Sequence, residues 1–123
     1  MDTFRIALAN IRFPATREES VTLAEEAIAQ ASLARADVIC FPECFVPGYR
    51  GMNKGVLPPD TAFLEHAWST IALAAARANV AVILGTERVR GDAVLASAPA
   101  GGSADCIMLL PALRARIFLN IAT

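Results

Sequence analysis

The apolar positions of this chain change period several times, and each change marks an element. Phe4, Ile6 and Leu8 alternate with Arg5, Ala7 and Ala9. That period of two predicts a strand over 4–10 with both faces at least partly covered. Phe13-Pro14-Ala15 is a turn, and Thr16 followed by Glu19 is a capping-box signature opening a helix that runs to about Arg35. Val21, Ala24, Ile28 and Ala31 form its apolar stripe, while Glu25, Gln30 and Arg35 face water. Asp37 leads a second strand over 38–41. After a loop rich in glycine and proline from Pro47 to Pro59, Asp60 is the expected N-cap of a second helix reaching about Asn79. Its buried face is predicted to be Phe63, Ala67, Ile71, Ala74 and Ala78, with His66 and Trp68 half-exposed beside it. Residues 80–84 read as a third strand covered on both sides and ended or turned by Gly85. Residues 89–94 read as a hairpin turn into a fourth strand over 93–97. The alternation of strand and helix predicts an α/β layer.

The remainder has a different grammar. Residues 99–105, Pro-Ala-Gly-Gly-Ser-Ala-Asp, read as a loop. From Cys106 to Thr123 the chain is apolar with Arg114 and Arg116, interrupted by Pro111, and it shows neither alternation nor a helical stripe. The division expected from the sequence is therefore one partial domain over 1–98 and an atypical tail over 99–123.

Composition narrows the function. The chain has 123 residues, 55% of them hydrophobic, and a net charge of −1. Without a basic patch it has no means of neutralising phosphates, which argues against nucleic acid as a partner. Cys40, Cys44 and Cys106 are three thiols without framework spacing and His66 is the lone histidine, so neither a disulfide scaffold nor a zinc site is expected. The longest apolar stretch, 71–85, is broken by Arg77 and Asn79 and is too short to span a bilayer. A cytoplasmic protein with no membrane partner is the expectation.

The candidate chemistry lies in Asp37-Val-Ile-Cys-Phe-Pro-Glu-Cys-Phe-Val-Pro-Gly-Tyr49. A short apolar run ends at a proline, and Glu43 stands at its end. Carboxyl ends of strands in open α/β sheets are where ligands bind, and a carboxylate held there on a fixed backbone is a candidate general base. Tyr49 is a candidate for the mouth of a substrate pocket. The bland alternative for Glu43 is a solvated surface acid, the usual fate of a glutamate. For Cys40 it is small core filling. Lys54, the only lysine, sits in a Gly-Met-Asn-Lys-Gly loop and reads as a solvated side chain.

These segments carry a resemblance. The opening Phe4-Arg-Ile-Ala-Leu-Ala9, the helix after Pro14, the Phe-Pro-Glu block with its Val-Pro-Gly-Tyr continuation, and Val82-Ile-Leu-Gly-Thr-Glu87 resemble the N-terminal portion of the nitrilase superfamily of carbon–nitrogen hydrolases. The resemblance implies an α/β fold that is the N-terminal, truncated part of a nitrilase-like α-β-β-α sandwich. It also implies hydrolysis of a non-peptide C–N bond in an amide, carbamoyl compound or nitrile, with no cofactor or metal, and a tendency to form homo-oligomers. In that family a cysteine thiolate attacks the carbon, a glutamate takes the thiol proton and activates water, and a lysine stabilises the developing negative charge.

Glu43 matches the family's glutamate. The region expected to hold the lysine falls near 106–113 and contains none, and Cys106 comes too early for the family's nucleophile. The resemblance thus supplies one catalytic position, and the chain alone is expected to be inactive. The expected cause is a lost reading frame or a truncated gene near Ala98. The competing expectation is a non-catalytic fragment or binding module that keeps the fold. Either way, half of a sandwich should leave an apolar sheet or helix face uncovered, favouring self-association.

Overall fold

The computed structural model describes residues 3–49 and 58–88 with their side chains, and residues 89–90, 93–94, 104–110 and 115–121 by their backbone. A five-stranded sheet has the order β1-β2-β3-β6-β7, where β1 is Ile6–Leu8, β2 Val38–Cys40, β3 Ala81–Thr86, β6 Ala104–Leu110 and β7 Ala115–Ile121. The first three strands run parallel, while β6 is antiparallel to β3 and β7 antiparallel to β6. The short β4, Val89–Arg90, and β5, Ala93–Val94, pair as the expected hairpin. Residues 95–97 of the predicted fourth strand lie outside the described residues.

Two helices connect the parallel strands. The first, α1 (Arg17–Leu33), starts where the sequence predicts: the Thr16 hydroxyl accepts from the Glu19 N–H at 3.1 Å. The Glu19 carboxylate reaches back to the Ala15 N–H rather than to that of Thr16, and it also binds Arg12. The second, α2 (Thr61–Ala78), is capped by the Asp60 carboxylate, which accepts from Phe63 N–H at 3.0 Å, and ends at a left-handed Asn79. The helices lie side by side and are tied at both ends. Arg17 binds Asp60 at 3.1 Å and covers the Phe63 ring at 4.6 Å, while Ser32 Oγ donates to the Ala78 carbonyl at 3.0 Å.

Both helices pack on one face of the sheet. Ala24, Ile28, Leu64, Ala67 and Ile71 enclose a core with Ile39, Val82 and Leu84. The period of two then sends the alternate residues to the other face. Ile6 and Leu8 are 61% and 77% exposed, and Val38, Cys40, Ala81 and Ile83 are only half-buried. The expectation that β1 and β3 are covered on both faces is corrected here: one face has helices over it, and no described side chain buries the other. Cys40 accordingly lies half-buried on the open face instead of filling the core.

Three further expectations change. Gly85 neither ends nor turns β3, which continues to Thr86. The buried face of α2 is Leu64, Ala67, Trp68, Ile71 and Ala75, rotated from the predicted stripe, so Trp68 is buried while His66 is exposed. Ala104 and Asp105 are strand rather than loop, and the tail forms β6 and β7. β6 joins the sheet by pairing antiparallel with β3, and β7 lies outside it at the edge.

The Arg12–Glu19 ion pair, with the Ala15 N–H, lowers the Glu19 pKa from its ordinary 4.5 to about 2. A carboxyl depressed on folding adds stability that is complete above pH 4.5 and is lost as pH falls toward 2. Glu19→Gln should therefore flatten the acid limb of the Tm-versus-pH curve in that window, as measured by circular dichroism melts.

Candidate active site

The segment after β2 leaves the sheet and returns to it. Phe41 N–H donates to Ile83 O at 2.9 Å, and Val46 N–H donates to Gly85 O at 3.2 Å. Between these two bonds β3 advances two residues and the β2 side advances five, so three surplus residues are extruded. Val46 then pairs with Thr86 as an isolated parallel bridge. Pro42 opens the extrusion, where its missing N–H leaves no donor unsatisfied. Glu43 stands next, and its side chain is exposed.

The turn is closed by its own backbone and by the core. Phe45 N–H donates to Pro42 O at 3.3 Å, and Gly48 N–H to Cys44 O at 3.2 Å. Cys44 is in the left-handed region with φ 49°, a conformation that costs a residue bearing a side chain about 1 kcal/mol or more. Surrounding packing holds it there: Cys44, Phe45 and Val46 are all buried, and the Phe45 ring lies 5.5 Å from that of Phe41. The turn thus sends Glu43 outward and Cys44 inward. The Val46–Pro47 peptide is cis, and Gly48 at φ 132° occupies a backbone region that favours glycine.

Gly85 is the residue that permits this geometry. A Cβ on Gly85 would lie 1.9 Å from the Pro42 carbonyl oxygen and 2.8 Å from the Glu43 Cα. The backbone carrying Glu43 therefore rests directly on the backbone of β3. Beside it stand Thr86 and Glu87, both buried.

The sequence-predicted residues divide as follows. Glu43 lies at the tip of the extrusion. Tyr49 lies at its far end, 37% exposed. Lys54 lies outside the described residues. Cys106 pairs with Gly85 in the sheet register, which puts its backbone one strand away from the turn. Sequence reasoning missed Gly85, Thr86, Glu87 and Trp68 as parts of this region. The Gly-Thr-Glu run was visible, but nothing local in it shows that a distant backbone lies against the glycine. The described residues also form a groove of about 500 Å³ between α1 and α2, floored by Ile28 and Ala74 and away from Glu43. Among the described residues no cluster of three or more His, Cys, Asp or Glu could hold a metal ion, and no helix is long and apolar enough to cross a membrane.

Residues 5–100 match the family described as carbon-nitrogen hydrolase. The chain belongs to the carbon–nitrogen hydrolase family. Within that family's segment fall the sheet strands β1, β2 and β3, both helices and the whole segment from Pro42 to Tyr49. Among solved structures, a glutamine-dependent NAD(+) synthetase from Cytophaga hutchinsonii is similar, with a TM-score of 0.62 and 21% sequence identity. The similarity covers 89% of this chain and 17% of the synthetase chain. At that identity it shows a shared fold: this carbon–nitrogen hydrolase chain has the architecture of the N-terminal part of a nitrilase-like sandwich. None of the curated proteins matches the chain.

Gly85→Ala should destabilise the chain by about 3 kcal/mol, at the upper end of overpacking costs, because the obstructing atoms are backbone and cannot rotate away. Urea denaturation followed by circular dichroism measures it. A midpoint within error of the parent chain would contradict the close approach.

Proposed function

We propose that the chain carries the glutamate-bearing part of a carbon–nitrogen hydrolase centre, with Glu43 as the general base in hydrolysis of an amide, carbamoyl compound or nitrile. The observation that carries this reading is the extrusion at 42–45. It presents one carboxylate from a backbone pinned on both sides to β3, within the segment that matches the family. A general base needs such fixed placement, because proton transfer depends on reach before it depends on acidity. The glutamine amide implied by the synthetase's description falls within this substrate class.

In this reading Glu43 would take the proton from an attacking thiol and later from water. The thiol and the cation that stabilises negative charge have no counterpart at the family's motif positions in this chain, so the chain alone does not turn over. Tyr49, at the end of the turn, would border the substrate. Cytoplasmic location and self-association through the open sheet face belong to the same proposal. The second reading, a non-catalytic fragment or interaction module, is favoured by the exposure of Glu43 and by those missing partners.

Two measurements test this. The purified chain should release no ammonia above buffer from a panel of amides and nitriles. A chimera in which residues 1–98 replace the matching segment of an active family member should release it, and Glu43→Gln should then lower kcat by about a hundredfold or more. An unaffected chimera rate would remove the base assignment. Separately, sedimentation velocity of the purified chain should show dimers or larger species at micromolar concentration, and a clean monomer would count against a sticky open face.

A further inference from the structure

We propose that the Thr86 hydroxyl is a positioning group for the candidate base, linking helix α2 to the turn that presents Glu43. The inference rests on the reading of Glu43 as the base, but its physical content, a turn held in place by one hydroxyl, can be tested without it.

The argument starts from direction. Trp68 Nε1–H lies 3.0 Å from Thr86 Oγ1, and an indole nitrogen can only donate. The threonine oxygen is therefore the acceptor there, and its own proton is free to go elsewhere. Two carbonyls are in reach: Val46 O at 2.9 Å and Glu87 O at 3.4 Å. The shorter contact has the better hydrogen-bond length. The hydroxyl proton therefore goes to Val46, and the relay runs one way, from the Trp68 indole through Thr86 to the Val46 carbonyl.

Place makes this relay consequential. Val46 is the residue at which the extruded segment rejoins β3, and its N–H is already held by Gly85 O. With Thr86 holding its carbonyl, both polar groups of one peptide-bearing residue are fixed to β3. The segment can then neither slide along the strand nor lift from it, and the left-handed Cys44 and outward Glu43 follow from that register. Trp68 and Thr86 are both buried, at 4% and 0% exposure, where an unmade hydrogen bond is expensive. Trp68 also sits mid-way along α2, so the turn is referenced to the helix layer as well as to the sheet.

The chain has one tryptophan, so its indole N–H gives a single nuclear magnetic resonance signal and makes the test direct. Thr86→Val keeps the shape and removes the hydroxyl, whereas Thr86→Ser keeps the hydroxyl. In T86V the Trp68 indole signal should shift, and the amides of Phe45, Val46 and Gly48 should exchange with deuterium at least about tenfold faster, the effect expected when buried partners lose a hydrogen bond. The Cα and Cβ shifts of Cys44, which report its left-handed backbone, should move toward averaged values. The amides pairing β2 with β3 below the turn should keep their protection, and T86S should restore every signal. Trp68→Phe, which frees the hydroxyl to rotate, should loosen the same amides by a smaller factor, and it carries the test if T86V does not fold. Unchanged turn amides and Cys44 shifts in whichever variant folds would overturn the proposal, as would loosening spread evenly over the chain. A turn loosened by T86V beside a chimera hydrolysis rate indifferent to E43Q would mean that the positioning stands and the base assignment fails.

Discussion

A single backbone crossing organises this molecule: the Pro42–Glu43 peptide lies directly on Gly85, with no room for even one carbon between them. Everything about the candidate site follows from that contact. Because the strand below is smooth at Gly85, the segment above can leave the sheet, make a tight turn and re-enter at Val46 within a few residues. Because the turn is short, its conformation is forced, and Cys44 must take up an otherwise costly backbone angle. Phe45, buried with its ring tilted against that of Phe41, makes lifting the turn cost the transfer of an aromatic ring into water.

The helical layer serves as a rigid back-plate to this arrangement. Arg17 with Asp60 ties the helices at one end and Ser32 with the Ala78 carbonyl at the other, and each contact joins groups far apart in sequence. Surface ion pairs of this kind contribute little individually. They mark the register in which α2 lies beside α1, and the shared core of Ile28, Leu64, Ala67, Trp68 and Ile71 holds it. Position is thus passed from cap to helix, from helix to indole and from indole to the turn.

What the sequence disclosed, and what it concealed, follows from the range of each interaction. Thr16 and Asp60 were readable as caps because capping is completed within a few residues of chain. The parallel order of the first three strands was readable from the alternation of helix and strand. The stripe on α2 was misplaced because this alanine-rich helix offers two neighbouring helical periods, and the one that runs through Leu64, Ala67, Trp68, Ile71 and Ala75 is the buried one. Gly85 looked like a strand terminator because glycine usually punctuates, whereas here its lack of a side chain serves a neighbour that sequence distance conceals. Glu43 was legible as a candidate by its place after a short apolar run and a proline. The extrusion that presents it was not, since that depends on two bonds to a strand formed much later in the chain. The place of the tail was not readable, since β6 and β7 join the sheet through a pairing with β3 that no local pattern announces.

The open face of the parallel strands carries a thermodynamic consequence. Ile6, Leu8, Val38, Cys40, Ala81 and Ile83 are in whole or part already hydrated while the chain is folded. Unfolding then exposes less new hydrocarbon per residue than it does in a domain layered on both sides of its sheet. For the single chain, the heat capacity increment of unfolding is correspondingly small, below the usual ~12–15 cal/mol/K per residue. The stability of the monomer therefore follows temperature along a broad, shallow curve with a weak maximum.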